Sequence, residues 1–259
     1  RARLEEIPGI RWRDAGGTIR RGPARRFIAD LDALPLPQLA QDLYDPRWYA
    51  PPGTDAIPAG ILTSRGCPSH CTFCANHVTG RTFRYRSAQS VVTELKTYHR
   101  RTGATFVAFW DDALTADSGR LLALCAALER DLDFALAWSA ATRASMVTPE
   151  LLRAMRRAGL VAVNFGVESG DDGILRAIGK GVSTDQVVRA LEWAKAEGLR
   201  TAANFMLGFP QESPAALERT RRFMERIAPL CDVFSTLGVV VPFPGTRLYD
   251  AFHARYGFT

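Results

Sequence analysis

Short apolar runs alternate with amphipathic stretches along most of the chain, from Gly60 onward. The runs are rich in β-branched and aromatic residues, and the stretches between them carry apolar residues at helical spacing, as at Leu151, Leu152 and Met155. This alternation is typical of βα units around a parallel sheet. The pattern predicts six strands, at residues 60–65, 104–110, 135–141, 160–167, 200–207 and 233–241.

Three of the predicted helices have recognisable starts. Thr148 and Ser213 each precede a proline, which suits an N-cap followed by the first helical position. Ser183 has Gln186 three residues later, which is the spacing of a capping box. Helices between successive strands would cover a sheet. The fold class that we predict is therefore α/β, with six βα units in a partial TIM-like (β/α)6 barrel.

Residues 1–58 lack this periodicity. Glycines and prolines interrupt them repeatedly, as at Pro8-Gly9, Gly16-Gly17 and Pro51-Pro52-Gly53, which is typical of an ordered connector. We predict a lead-in or linker segment over residues 1–58 and one main domain over residues 59–259. The first residue is Arg rather than Met, which indicates a piece of a longer protein.

The composition sets limits on the class of protein. With 259 residues, of which 47% are hydrophobic, the chain can bury one sizeable core. No apolar run approaches the roughly eighteen residues of a membrane span, and the first ten residues have no hydrophobic region of the kind that a signal peptide needs. We therefore expect a cytoplasmic location, no membrane span and reduced thiols.

The net charge of +6 does not change the predicted class of protein. Eight arginines lie within the first 26 positions, and such a patch could contact phosphates. Glu5, Glu6 and Asp14 interrupt the patch, and no stacking aromatic residues are interleaved at regular spacing. We expect no nucleic-acid partner.

Polar or turn-forming residues follow every predicted strand. In parallel α/β barrels the carboxyl ends of the strands build the active site, so these positions are candidates for chemistry. The need to end a strand explains the prolines and glycines at these positions. It does not explain why charged residues directly follow apolar runs. We therefore predict functional roles for Asp111, Arg143 and Glu168. The residues that follow strands two to six are Asp111-Asp112, Thr142-Arg143, Glu168-Ser169, Gly208-Phe209-Pro210 and Pro242-Phe243-Pro244-Gly245.

The first strand is followed by three cysteines within eight residues, Cys67, Cys71 and Cys74. Thiolates are soft ligands for zinc or for iron–sulfur clusters. A closed zinc site needs a fourth ligand, which His70 or His77 could supply. Three thiolates on a cubane cluster instead leave one iron with an open position, where a substrate or cofactor can bind. The other two cysteines lie in apolar contexts that predict buried core residues, at Cys125 and Cys231.

The arrangement Cys67-x3-Cys71-x2-Cys74, in a loop after the first strand of a six-unit barrel, resembles the radical S-adenosylmethionine (SAM) superfamily. The resemblance implies a [4Fe-4S] cluster on these three cysteines, with SAM chelating the open iron through its amino and carboxylate groups. One electron from the cluster then cleaves SAM, and the resulting 5′-deoxyadenosyl radical abstracts hydrogen from the substrate. Phe73 matches the aromatic position of the family's loop and would lie near the adenine.

The resemblance continues over about 200 residues, in blocks at 109–117, 164–181, 204–213 and 241–250. By position in these blocks, Glu168, followed by Ser169, would contact the ribose hydroxyls of SAM. Arg143 would contact the methionine carboxylate, and Asp111 or Asp112 the amino nitrogen, where the family more often has Gly-Gly-Glu. Gly208 would let the backbone approach the adenine closely.

These blocks resemble the branch of the superfamily whose members often carry an upstream cobalamin-binding domain, and residues 4–37 resemble the connector that follows that domain. Bound cobalamin would then depend on a domain outside these 259 residues. The resemblance implies a methyltransferase, a cyclase or a related carbon-centred radical enzyme. A flavodoxin- or ferredoxin-type protein would act as reductant, and the substrate would be a small molecule or peptide of unidentified structure.

Two other functions stay open at this point. A radical SAM methylthiotransferase would carry a second cysteine trio upstream, and no cysteine precedes Cys67 in this chain. A zinc-binding or electron-transfer module without catalysis would use the cysteines alone. It would leave Arg143, Glu168 and the barrel blocks without a role.

Overall fold

The computed structural model describes residues 3–37, 48 and 60–257. The predicted domain boundary between residues 58 and 59 lies outside these residues. The chain divides into two compact units, Arg1–Asp30 and Leu31–Thr259.

The first unit contains a short 3-10 helix, Leu4–Glu6, and an antiparallel hairpin of β1 (Arg11–Arg13) and β2 (Ile19–Arg21). The Asp14 carboxylate holds the hairpin turn, because it accepts hydrogen bonds from the backbone N–H groups of Gly16 and Thr18 at 3.0 and 2.9 Å. The Arg20 guanidinium bonds the same carboxylate and, with those donors, holds the pKa of Asp14 below its usual value.

The second unit is built on a six-stranded sheet in the order β10-β9-β8-β7-β6-β3, in which every pairing is parallel. All six predicted strands belong to it, which confirms the predicted α/β class. The strands are β3 (Gly60–Ile61), β6 (Phe106–Phe109), β7 (Ala137–Thr142), β8 (Leu160–Glu168), β9 (Arg200–Leu207) and β10 (Val233–Val239).

The first predicted strand is shorter than expected. It leaves the sheet after Ile61, because the Thr63 N–H donates to the Asp111 carboxylate at 3.2 Å instead of to a neighbouring strand. Its second half becomes β4 (Ser64–Arg65), which pairs antiparallel with β5 (Arg84–Tyr85). This small ribbon carries the chain into and out of the cysteine loop.

Helices connect the parallel strands, and the predicted N-caps are confirmed. The side chains of Thr148, Ser183 and Ser213 accept from the backbone N–H groups of Leu151, Gln186 and Ala216. The helices are α1 (Ala88–Thr102), α2 (Ser118–Asp131), α3 (Pro149–Arg157), α4 (Asp172–Ala177), α5 (Thr184–Ala196), α6 (Pro214–Ile227) and α7 (Arg247–Tyr256). Within the described ranges no helix has the length and apolar character to cross a membrane.

The hydrophobic core lies on one face of the sheet. Alternate strand residues such as Phe109, Trp138 and Phe165 are buried there together with the apolar faces of the helices. Trp138 stacks on Phe109 with ring centroids 4.6 Å apart, and its indole N–H donates to the Ala158 carbonyl at 2.8 Å. The large side chains therefore point to the helices, and the opposite face of the sheet is left to smaller ones.

Two glycines end helices before strands in the same left-handed conformation, Gly159 at φ +98° and Gly198 at φ +69°. A Cβ at Gly159 would lie 2.1 Å from the Leu136 carbonyl oxygen, whereas a Cβ at Gly198 would meet no atom within 4 Å. We expect Gly198→Ala to lower the free energy of unfolding by about 1 kcal/mol, the cost of the left-handed backbone alone. Gly159→Ala should cost clearly more. Urea denaturation of both variants measures this difference, and equal losses would contradict the close packing at Gly159.

Candidate functional site

A cavity of about 380 Å³ lies at the carboxyl ends of β6, β7 and β8, bounded by the loop that follows β4. This loop carries the three cysteines, so residues that are far apart in the sequence converge on one space. The residues lining the cavity include Cys67, Cys71, Phe73, Cys74, Asn76, Asp111, Asp112, Arg143, Gly166, Glu168, Lys180 and Asn204.

The cysteine loop is held from both sides. The Thr72 N–H donates to the Ile178 carbonyl at 2.8 Å, and the Asn76 side-chain amide donates to the carbonyls of Cys67 and Ser69 at 3.3 and 3.0 Å. The other amide atom of Asn76, Oδ1, is buried without a hydrogen-bond partner among the described residues. These contacts fix the loop, and one buried acceptor of a cavity-lining residue stays unpaired.

All three loop thiols are free. Cys67 and Cys71 are buried and Cys74 is half-buried. Burial raises the pKa of the Cys74 thiol, and the neighbouring Cys71, Cys67 and Asp112 act in the same direction. In the part of the chain that the structure describes, no three His, Cys, Asp or Glu side chains are grouped to hold one metal ion.

Arg143 follows β7 and reaches the cysteine loop. Its Nη1 lies 3.2 Å from the Cys71 sulfur, within hydrogen-bonding distance. Its Nε is buried and has no partner among the described residues. Unpaired buried donors are rare in folded proteins, so this guanidinium has capacity left for an anionic group in the cavity.

Glu168 ends β8 in a strained conformation. Its φ of +71° is the only left-handed value among the described residues other than glycine. Its carboxylate is buried, and Oε1 accepts from the Lys180 ammonium at 2.6 Å. A Cβ at Gly166 would lie 2.7 Å from Oε1 and 3.0 Å from Lys180 Nζ, so a larger residue at this position would displace the ion pair.

The sequence prediction missed Lys180 as a site residue. Its side chain is only 6% exposed, although lysine is almost never buried without a partner. Two glycines in left-handed conformations flank it, Gly179 at φ +65° and Gly181 at φ +64°. The Gly-Lys-Gly triplet was a signal in the sequence, because lysine between two glycines after a short helix indicates a tight turn that places one charge.

The two aspartates after β6 have different environments. Asp111 is buried and accepts from the Thr63 N–H, from the Thr63 hydroxyl at 2.8 Å and from the Ser64 hydroxyl. Burial raises its pKa, and these donors act in the opposite direction. Asp112 is exposed, and its Oδ2 accepts from the Gly66 N–H at 2.9 Å.

Of the remaining predicted cofactor residues, Phe73 lines the cavity, whereas Ser169 and Gly208 do not. Phe73 lines the cavity, with its ring centroid 5.7 Å from that of Phe209. Ser169 is fully buried outside the cavity lining, where its hydroxyl lies 3.1 Å from the Thr220 hydroxyl. Gly208 lines a second, mainly apolar cavity of about 420 Å³, and its N–H donates to Glu212 at 2.6 Å.

The remaining two cysteines lie outside the cysteine loop, and the two histidines of that loop are on the surface. Cys125 is buried in the core as predicted, and burial raises its pKa to about 12. Cys231 is only half-buried, in contact with the carbonyls of Thr201 and Val233. His70 and His77 are both exposed.

Comparison with known proteins agrees with this geometry. The family model of the Radical SAM superfamily matches residues 61–224. An uncharacterized methyltransferase of Pyrococcus horikoshii is 32% identical over 251 residues, which are 95% of this chain and 52% of that protein. An anaerobic magnesium-protoporphyrin IX monomethyl ester cyclase of Rubrivivax gelatinosus is 28% identical over 248 residues, 90% of this chain and 44% of that protein. The chain thus spans about half the length of these curated relatives.

Among solved structures, the radical S-adenosylmethionine methyltransferase TsrM from Kitasatospora setae, with cobalamin and a [4Fe-4S] cluster bound, superposes with a TM-score of 0.76. It is 19% identical, and the match covers 98% of this chain and 50% of that one, so this likeness concerns the fold. The family match, the P. horikoshii relative and the cysteine loop at the carboxyl edge of a parallel sheet lead to one conclusion: the chain belongs to the radical SAM superfamily.

Proposed function

We propose that this chain is the radical-generating core of an enzyme that cleaves SAM and uses the product in methyl transfer or a related carbon-centred reaction. The observation that carries the proposal is the convergence of three free thiols, Arg143 and Glu168 on one cavity. A zinc module would need the thiols alone and would leave the buried Glu168–Lys180 pair without a purpose.

The donor set fits a [4Fe-4S] cluster. Three soft thiolate ligands on a short loop suit iron and sulfide, and they leave one coordination position open. Arg143 and Asn76 both line the cavity, and their Nε and Oδ1 atoms are buried without a partner among the described residues, which supports a bound molecule there. When bound, the cluster would supply the electron that cleaves the sulfonium carbon–sulfur bond of SAM.

Each side chain around the cavity then has a distinct task. The Arg143 guanidinium would bind the SAM carboxylate, since its donors match a planar anion. The Glu168 carboxylate would accept from the ribose hydroxyls while Lys180 holds it in place. Phe73 would cover the adenine. These roles come from the position of each group in the cavity and from the family resemblance.

For the amino group of SAM we favour Asp112 over Asp111. The Asp111 carboxylate already accepts three hydrogen bonds from Thr63 and Ser64, which fix the start of the cysteine loop. Asp112 is exposed and accepts one backbone bond from Gly66, so it keeps acceptor capacity. Ser169 supports the turn after β8, where its hydroxyl accepts from the Asp171 N–H. Gly208 lines a different cavity and its N–H is bonded to Glu212, so we give it no role at the adenine.

We infer that the reaction that follows SAM cleavage also depends on a further domain of the parent protein. Its relatives include a protein named as a methyltransferase and one named as a cyclase, and both are about twice its length. The matched TsrM structure holds cobalamin. We infer that the parent protein binds cobalamin through a further domain and receives electrons from a flavodoxin- or ferredoxin-type reductant.

The first prediction concerns the cysteines. After anaerobic reconstitution, Cys67→Ala, Cys71→Ala and Cys74→Ala should each lose iron, sulfide and reductant-dependent formation of 5′-deoxyadenosine. The matched control Cys125→Ala should keep its iron, because that thiol lies in the core away from the loop. Iron and sulfide analysis with chromatography of the SAM products measures the effect. One equivalent of zinc without iron or sulfide in the wild-type protein would instead support the zinc module.

The second prediction separates the two partners of the buried ion pair. Lys180→Met should lower the free energy of unfolding by about 3 kcal/mol, because it leaves the Glu168 carboxylate buried without its cation. Adding Glu168→Gln should recover part of this loss, since the double variant buries no charge. Thermal unfolding measures the stabilities and calorimetry measures SAM affinity. Both variants should bind SAM weakly, and wild-type SAM affinity in the double variant would contradict the role given to Glu168.

The third prediction compares the neighbouring aspartates. Asp111→Asn should destabilise the fold by about 1–3 kcal/mol, because an amide cannot accept all three of the present hydrogen bonds and leaves a buried donor unsatisfied. Asp112→Asn should change stability little but weaken SAM binding. Denaturant unfolding and SAM titration of the two variants test this assignment. The assignment fails if Asp112→Asn loses stability while Asp111→Asn keeps its stability and loses SAM binding.

A further inference from the structure

Arg120 lies in the first turn of α2 and has no task in the proposed function. Its backbone N–H donates to the side chain of Asp117, which caps the helix, at 2.9 Å. Its side chain reaches the ribbon of β4 and β5, which carries the chain into and out of the cysteine loop. Arg120 does not line the cavity that this loop bounds, so it is placed to act on the loop and not on a molecule in the cavity.

The Arg120 guanidinium contacts both sides of this ribbon. Its Nη2 donates to the carbonyl of Thr63, the residue before β4, at 2.8 Å. Its central carbon lies 5.5 Å from the ring centroid of Tyr85, the last residue of β5, which is within the distance of a cation–π interaction. One cation therefore links the entry and the exit of the cysteine loop.

Thr63 connects this cation to the buried carboxylate of Asp111. Its carbonyl accepts from Arg120 and also from the Arg86 backbone N–H at 2.9 Å. Its own N–H and hydroxyl donate to the Asp111 carboxylate. Hydrogen bonds to ionised groups are stronger than neutral ones. The position of Thr63, four residues before Cys67, is therefore fixed by two charged side chains from separate elements.

The stability of the fold does not account for this guanidinium. Its Nη1 is buried and has no hydrogen-bond partner among the described residues. An unsatisfied buried donor lowers stability. Burial also lowers the pKa of Arg120, an effect that the charges of Asp111 and Asp117 oppose. An apolar side chain of similar length would avoid both losses, so the contacts with the ribbon are the better explanation for a guanidinium at this position.

We propose that Arg120 is a positioning residue for the cysteine loop, which it holds through the Thr63 carbonyl and the Tyr85 ring. The proposal rests on the proposed function, since the loop would carry the cluster to which SAM binds. A displacement of Thr63 would displace Cys67 shortly after it, the first of the three thiols. Arg120 would thereby affect SAM binding without contacting SAM.

Hydrogen exchange tests the contact itself. Arg120→Met removes the guanidinium at similar length, and Arg130→Met is the matched control, because Arg130 is an exposed residue of the same helix that bonds its neighbour Asp131. Before and after anaerobic reconstitution, peptides that span residues 61–67 should exchange about threefold to tenfold faster in Arg120→Met, the value of one net hydrogen bond. Arg130→Met should exchange at the wild-type rate. Unchanged exchange of this segment in Arg120→Met would overturn the proposal.

SAM binding to the reconstituted protein separates positioning from a purely structural role. Relative to its iron content, Arg120→Met should bind SAM about threefold to tenfold more weakly, and the electron paramagnetic resonance spectrum of the reduced cluster with SAM should change. Arg120→Lys should recover part of the affinity, because it keeps the charge and one of the two contacts. A loss of stability in Arg120→Met with wild-type SAM affinity and an unchanged spectrum would overturn the proposal.

Two further outcomes are distinguishable. If Arg120→Met does not fold, Tyr85→Leu carries the same test with a smaller effect, because the Tyr85 ring is exposed and its loss leaves the core intact. Wild-type exchange and SAM affinity in Tyr85→Leu would then overturn the proposal. A wild-type protein that binds neither cluster nor SAM would refute the proposed function, while the exchange rates of residues 61–67 would still decide whether Arg120 holds the loop.

Discussion

The six strands of the main sheet all run in one direction, and the site depends on this constraint. Parallel pairing brings every carboxyl end to the same edge, so Asp111, Arg143 and Glu168 meet although they are separated along the chain. The cysteine loop lies at that edge because β3 leaves the sheet after Ile61, and the Asp111 carboxylate accepts from the Thr63 N–H just beyond it. One residue at a strand end thus also sets where the cysteine loop begins.

Much of this arrangement could be predicted from the sequence. Strand and helix periodicities differ enough to locate six strands, and the caps at Thr148, Ser183 and Ser213 follow from short-range hydrogen bonding. The cysteine spacing is likewise a local signal. The direction of a side chain after a strand is not local. Ser169 follows Glu168 directly and yet bonds Thr220 on α6 outside the cavity, which only tertiary packing decides.

The pairing of Lys180 with Glu168 also depends on tertiary structure that local sequence patterns do not predict. Lys180 lies twelve positions after Glu168, a spacing that no helical or strand repeat connects, and the pair forms because a turn between two left-handed glycines folds back on β8. The turn also contacts the cysteine loop, where the Ile178 carbonyl accepts from Thr72. The strained Glu168 backbone is therefore held by an ion pair on a segment that is itself bonded to the cysteine loop. Strain of this kind persists only where surrounding contacts determine it.

The two faces of the sheet differ in the size of their side chains. One face provides the stabilising core, and the other leaves space within the fold. On the outer face Phe109, Trp138 and Phe165 are almost completely buried, and they provide the apolar burial that holds the helices to the strands. On the inner face Ala162 and Asn164 leave space. A protein that gains its stability from one face can keep the other face open at modest cost. The open inner face is therefore compatible with a stable fold.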